Sequence, residues 1–208
     1  MKNLLALLAL TAVALPVGAE TVNFDAYPVG SPPADWTCGA HSGARGDSGV
    51  RWNVEADAKG PPSPPNVLMQ SGQGEYPYCV KKGTSIESGT LEVKFKPIFG
   101  EKAQAGGLIF RFKDTGSYYV ARANANESNL NLYYFEKGKR LTAKEVSTPM
   151  ITLSEWHTLA VAYQGKHIEV SLDGKKLIDV EDDHISGPGA VGVWTRFDSK
   201  TAFDDFKY

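Results

Sequence analysis

The stretch Ile168-Glu169-Val170-Ser171-Leu172-Asp173-Gly174-Lys175-Lys176-Leu177-Ile178 decides the fold. Ile168, Val170 and Leu172 alternate with polar residues, so an extended segment here has one apolar face and one wet face. Asp173-Gly174 follows directly, and both residues tolerate the positive φ that a two-residue hairpin turn requires. A second apolar run opens at Leu177. The reading is an antiparallel hairpin.

The same grammar spreads outward on both sides. Short alternating or apolar segments occupy 91–96, 108–113, 118–124, 130–135, 158–163, 190–197 and 202–208. Lys137-Gly138, Gln164-Gly165 and Pro188-Gly189 supply turn residues between them. No segment shows a convincing helical period. Short strands at this spacing predict an all-β chain, an antiparallel two-sheet sandwich or a barrel.

Composition agrees. The chain has 208 residues, 42% hydrophobic and 22% charged, so it can build a core and is not a disordered tail. Its 21 glycines and 12 prolines suit a turn-rich protein. Lys plus Arg total 22 against 24 Asp plus Glu, a net charge of −2, without the basic excess of a nucleic-acid binder.

Residues 1–19 read as a secretory signal. Lys2 starts it, an uncharged apolar run covers 4–15, Pro16 breaks the run, and Val17-Gly18-Ala19 puts small or modest residues before a cleavage point. The run is too short to span a bilayer, which takes about 20 apolar residues. No later segment is long or apolar enough. The expectation is removal of 1–19 and a single secreted or periplasmic domain over 20–208, with no membrane span. Export would place Cys38 and Cys79 in an oxidising compartment, where an even pair predicts a disulfide. Two free buried thiols or a metal pair are the alternatives, and neither cysteine has a Cys or His at ligand spacing. The proline-rich run 58–65 cannot be helix or central strand, and it reads as a loop inside the domain.

Four segments together resemble a known group: Trp156-His157-Thr158-Leu159, 168–174, Gly189-Ala190-Val191-Gly192-Val193-Trp194-Thr195, and Phe203-Asp204-Asp205-Phe206. They are similar to the concanavalin A-like lectin/glucanase superfamily, in particular its laminin G-like and bacterial 3-keto-disaccharide hydrolase-type domains. The resemblance implies a jelly roll whose terminal strands, near Phe24-Asp25 and Phe203-Asp204-Asp205, pair. It implies a concave sheet whose outer face takes sugar. It also implies a structural Ca²⁺ held by Asp25 and a last-strand acid, Asp205 or Asp204, with no other cofactor required.

The residues that would meet a glycan are Arg111, Tyr119, Arg122, Asn124, Tyr133, Trp194 and Arg196. Aromatic rings stack on sugar faces, amides and guanidiniums fix hydroxyls, and Arg also pairs with uronate or sulfate. Glycosidases resembling this fold carry a Glu-x-Asp-x-x-Glu strand. Its nearest counterpart, Glu55-Ala56-Asp57, runs into the proline loop instead. A polysaccharide lyase would need a base, for which Tyr119 or Tyr133 is the candidate. His41, His157, His167 and His184 show no zinc-ligand spacing. Three readings follow: a carbohydrate-binding domain, a glycan-active enzyme (disaccharide hydrolase or polysaccharide lyase) on the same scaffold, and a structural or adhesion domain.

Overall fold

The computed structural model describes residues 19–41, 49–57 and 59–208. The expected leader, save Ala19, lies outside them. The described residues form fifteen strands and no helix. In chain order the strands are β1 (Thr21–Val22), β2 (Trp36–His41), β3 (Trp52–Ala56), β4 (Asn66–Gln70), β5 (Tyr76–Lys81), β6 (Gly89–Phe99), β7 (Ala105–Asp114) and β8 (Ser117–Asn124). Then come β9 (Asn129–Glu136), β10 (Lys139–Ser147), β11 (His157–Gln164), β12 (His167–Leu172), β13 (Lys175–Glu181), β14 (Ala190–Trp194) and β15 (Lys200–Lys207).

They make two antiparallel sheets. An eight-stranded sheet runs β13-β12-β11-β6-β15-β4-β3, with β1 beside β15, and a seven-stranded sheet runs β10-β9-β8-β7-β14-β5-β2. The sandwich is as expected and the terminal strands pair, but at Thr21 opposite Lys207 and Val22 opposite Phe206, while Phe24 (φ 62°) and Asp25 lie in the turn that follows β1. One apolar layer fills the space between the sheets. Leu91, Val93 and Phe95 of β6, Leu159, Val161 and Tyr163 of β11, and Ile168, Val170 and Leu172 of β12 meet Leu108 and Phe110 of β7, Tyr119, Ala121 and Ala123 of β8, and Val191 and Val193 of β14. Full burial of one such side chain stabilises the fold by about 1.5–3 kcal/mol.

The turns follow the sequence. Asp173 (φ 49°) and Gly174 (φ 77°) connect β12 to β13, and Lys137 (φ 51°) and Gly138 (φ 76°) connect β9 to β10. Asp173 does more than turn the chain. Its Oδ1 accepts the Thr158 N–H at 2.7 Å and its Oδ2 accepts the buried His157 Nδ1–H at 2.8 Å. His157 Nε2 then accepts the Thr152 N–H at 3.0 Å, which fixes the proton on Nδ1.

Two bulges redirect side chains. At Arg111 (φ 49°) the register between β7 and β8 shifts, and Gly189, just before β14, lies against it, where a Cβ would fall 2.4 Å from the Arg111 carbonyl carbon. At Asp205 (φ 47°) β15 shifts similarly, so Phe203 and Phe206 both point into the core.

Cys38 and Cys79 are bonded, directly opposite each other on the paired strands β2 and β5. The bond closes a loop spanning 41 positions that contains β3, β4 and the proline run. The double variant Cys38→Ala/Cys79→Ala should lose about 3–4 kcal/mol of stability by urea unfolding, since the open chain gains loop entropy. A loss below about 1 kcal/mol would show that packing alone holds this edge.

Candidate functional site

The two outer faces of the sandwich differ sharply. On the eight-stranded sheet, alternation turns Glu92, Lys94, Ala160, Ala162 and Glu169 outward, small and charged groups that adjoin an apolar patch of Val67, Met69, Ala202, Ile98 and Trp156, with Lys96 over the Trp156 ring. The outer face of the seven-stranded sheet carries an aromatic floor made of Tyr76, Trp194, Phe135, Tyr118, Phe112 and Tyr78. Neighbouring ring centroids there are 4.2–6.1 Å apart. Burial pushes the Tyr118 hydroxyl up in pKa.

Three guanidiniums lie among these rings. Arg122 sits 5.3 Å from the Tyr133 centroid. Arg140 sits 4.5 Å from Tyr133 and 5.7 Å from Tyr76. Arg196 sits 4.2 Å from Tyr76 and 3.6 Å from Phe197. The face is thus crossed by a row in which cation and ring alternate: Arg122, Tyr133, Arg140, Tyr76, Arg196.

A polar cluster closes one end of the row. The Nη2 group of Arg122 donates to Glu127 at 2.6 Å, Asn129 at 2.7 Å and Asn131 at 3.0 Å. Asn131 donates in turn to Glu145 at 2.6 Å. Burial raises the Glu127 carboxyl, but Arg122 beside it, with Asn124 and Asn129, holds it below the ordinary carboxylate value. Glu127 and Glu145 are exposed above buried Arg122 and Asn131, so the cluster offers hydroxyl groups both donors and acceptors.

Of the residues singled out in the sequence, Arg122, Asn124, Tyr133, Trp194 and Arg196 share this face or its rim. Asn124 accepts the Gln104 N–H at 3.0 Å and ties down the loop before β7. Trp194 points outward as expected but is fully buried, with Tyr76 stacked over it at 6.1 Å. The ring available to a ligand is Tyr76, not Trp194.

Arg111 and Tyr119 lie elsewhere. The bulge swings Arg111 to the inner side, where it donates to the carbonyls of Ile185 (2.9 Å) and Gly165 and lies 5.3 Å from the Tyr163 ring. Tyr119 is one position out of phase with Tyr118, Val120 and Arg122, so it faces the core, stacked on Phe110 at 5.0 Å. Its hydroxyl bonds Asp182, and burial with that bond pushes its pKa up. Burial also raises Tyr133. Both shifts oppose service as a base at neutral pH.

Sequence reasoning missed Arg140, Tyr76, Asn129, Glu127 and Glu145. Arg140 and Glu145 stand on β10, which has no unbroken apolar alternation. The Lys137-Gly138 hairpin was the available signal: a strand must follow such a turn, and it places Arg140 opposite Phe135.

Two carboxyl clusters lie outside this face. Near the C-terminus, Asp25 accepts from the Asn66 N–H (3.0 Å) and Asn23 (2.8 Å), and Asp205 accepts from the Ser63 hydroxyl (2.5 Å). Asp204, buried beside them, accepts the Ser63 N–H at 2.8 Å. None of the three makes an ion pair among the described residues. On the far sheet, His167, Glu169 and Asp179 bring donor atoms within 4.8 Å of one another. There Lys176 already lies 2.6 Å from both carboxylates, so the chain supplies its own cation.

The chain matches no family model, and no curated protein matches it. Solved structures do. It is similar to the carbohydrate binding module CBM66 from Bacillus subtilis, with 22% identity and a TM-score of 0.65 over 86% of this chain and 98% of that one. It is similar to a Bacillus licheniformis beta-glucanase, with 14% identity and a TM-score of 0.60 over 93% and 99%. A Bacillus subtilis protein of unknown function with a galectin-like fold gives 14% identity and a TM-score of 0.54 over 83% and 88%. The fold is therefore the concanavalin A-like jelly roll.

Asp204 yields a pH prediction. Burial, with Asp205 and Asp25 adding to it, pushes this carboxyl up to about 7, while the N–H groups of Ser63 and Asp205 pull the other way. Folded protein therefore keeps a proton that the unfolded chain, titrating near 3.8, has released. The contribution of this carboxyl to stability is fully present below that lower value and is lost as pH rises through the upper one. In chelator-treated buffer, Asp204→Asn should flatten the fall in melting temperature from about pH 5 to about pH 8. An equal slope in both proteins would show that Asp204 is not a buried acid.

Proposed function

We propose that this protein is an exported carbohydrate-binding domain that holds a glycan on the outer face of its seven-stranded sheet. The observation that carries the reading is the row of alternating rings and guanidiniums over the aromatic floor, with Asn131, Glu127 and Glu145 beside it. Rings supply the stacking surface for pyranose or furanose faces, and the donor–acceptor cluster orients hydroxyls. The likeness in fold to a carbohydrate binding module supports the reading. The disulfide is compatible with an oxidising compartment outside the cytoplasm, and no helix among the described residues is long and apolar enough to cross a membrane. We take residues 1–19 as the leader that directs export to the periplasm or beyond.

Binding is favoured over turnover. A glycosidase needs a general acid whose pKa is raised, and Arg122 holds Glu127 in the opposite direction. A purely structural role would leave the row of guanidiniums and half-exposed Tyr76 without a purpose.

Glycan-array and titration measurements test this. Tyr76→Ala and Glu145→Gln should each weaken binding about tenfold, about 1.4 kcal/mol, without a matching fall in melting temperature. Lys94→Ala, on the opposite sheet, should leave binding as it was. Absence of binding to any glycan, or equal binding by Tyr76→Ala, would overturn the assignment.

We also propose a structural Ca²⁺ at Asp25, Asp204 and Asp205, which Ser63 and Asn66 hold near one another. The three carboxyls are hard oxygen donors with no cationic partner among the described residues. Asp25 and Asp205, with Asp204, would hold the ion, and backbone oxygens would complete its shell. Such an ion would tie the N-terminal segment to the last strand. Millimolar Ca²⁺ should raise the melting temperature at neutral pH by several degrees, and a chelator should reverse it. Identical melts with Ca²⁺ and with chelator would remove the ion from the account.

A further inference from the structure

The proposed binding face divides into two chemically unlike halves. Around Asn131, donors and acceptors are mixed, because Glu127 and Glu145 sit beside Arg122 and the asparagine amides. Around Tyr76 the charged groups that point at a ligand are donors. Arg140 makes no ion pair and no side-chain hydrogen bond among the described residues, and its Nη1 is buried without an acceptor. Arg196 is itself buried. It spends one N–H on the Glu75 carbonyl at 2.9 Å, and the Glu75 carboxylate stands off at 3.6 Å.

The other acids of the face are committed elsewhere, Glu127 to Arg122 and Glu145 to Asn131. Two like charges thus flank one ring with a single carboxylate, Glu75 at 3.6 Å from Arg196, between them. Rings hold both in place: Tyr133 and Tyr76 for Arg140, Tyr76 and Phe197 for Arg196. A guanidinium fixed by a ring face keeps its planar fork ready for a bidentate acceptor. A neutral hydroxyl would leave most of these donors, and the Arg140 charge, unanswered. A carboxylate or a sulfate would answer them.

We propose that Arg140 and Arg196, on either side of Tyr76, seat the anionic substituent of an acidic glycan, a sugar carboxylate or sulfate ester. This rests on the carbohydrate-binding reading above and names the class of glycan. The sugar ring carrying the charge lies against Tyr76, and the neighbouring residue reaches the Asn131 cluster.

Matched pairs of ligands test it by calorimetric titration of the full chain at low and physiological ionic strength. One pair is an oligogalacturonate and its carboxyl-reduced form, and the other is a sulfated galactan oligomer and its desulfated form. At least one charged member should bind about tenfold tighter than its neutral counterpart. The pair that shows the preference identifies the anion. Arg140→Gln should erase the preference and Arg140→Lys, which keeps charge but loses the fork, should erase part of it. Lys94→Gln should leave it intact, which separates a built site from general attraction of polyanions. Neutral counterparts binding as tightly as charged ones, with Tyr76→Ala still weakening both, would overturn this inference and leave the glycan reading standing. No binding by either pair or by a neutral glycan panel would overturn both.

Discussion

One apolar layer shared by the inner faces of two sheets constrains everything else in this molecule. Because strand side chains alternate, each residue that enters the layer assigns its neighbours to the outside. Leu130 and Leu132 turn inward, so Asn131 and Tyr133 turn outward. Ala121 and Ala123 turn inward, so Arg122 and Asn124 share the outer face with Asn131 and Tyr133. The candidate site is the complement of the core. Its side chains hold their positions because a slip of one residue in β8 or β9 would drive Arg122 and Asn131 into the apolar layer.

The site then departs from an ordinary wet sheet face in one respect. Arg122 and Arg196 are almost fully buried, on a surface that solvent could have covered. Removing a guanidinium from water is costly unless other groups replace the hydration. Rings, amides, backbone carbonyls and one close carboxylate do so here. The result is a rigid layer of buried cations below a thinner exposed one: Tyr76, Arg140, Glu127 and Glu145. Arg122 positions, the exposed layer touches, and Arg196, 8% exposed, meets the surface beside Tyr76. That division explains why Trp194, the largest aromatic on the face, is a support and not a contact.

Much of this was legible in the sequence. Alternation and paired turn residues from β6 onward are enough to specify an antiparallel sandwich or barrel, the resemblance in four segments selects the sandwich, and the cysteine pair marks where the less periodic N-terminal portion is fastened. Tyr119 was also readable, since its parity opposes that of Arg122 and alternation alone places it inside. Arg111 was not, because a bulge is a backbone event and no residue type announces it there. Tyr76 was hidden in a stretch with no visible period, and it gains its place only through the pairing of β5 with β14. Arg140 was hidden because the apolar residues of β10, Leu141, Ala143 and Val146, are few and a register shift between Thr142 and Lys144 breaks their alternation.

That silence of β10 has a use of its own. It is the last strand of its sheet among the described residues, with β9 on one side and no described strand paired on the other. An edge of that kind invites another chain to add itself as the next strand. Lys139, Arg140, Lys144 and Glu145 keep the edge charged and hydrated, and the register shift between Thr142 and Lys144 spoils its regularity. An incoming strand would have to strip water from those charges and match a broken ladder. The border that gives a sequence reader nothing to recognise gives a neighbouring polypeptide nothing to recognise either, and the fold ends there.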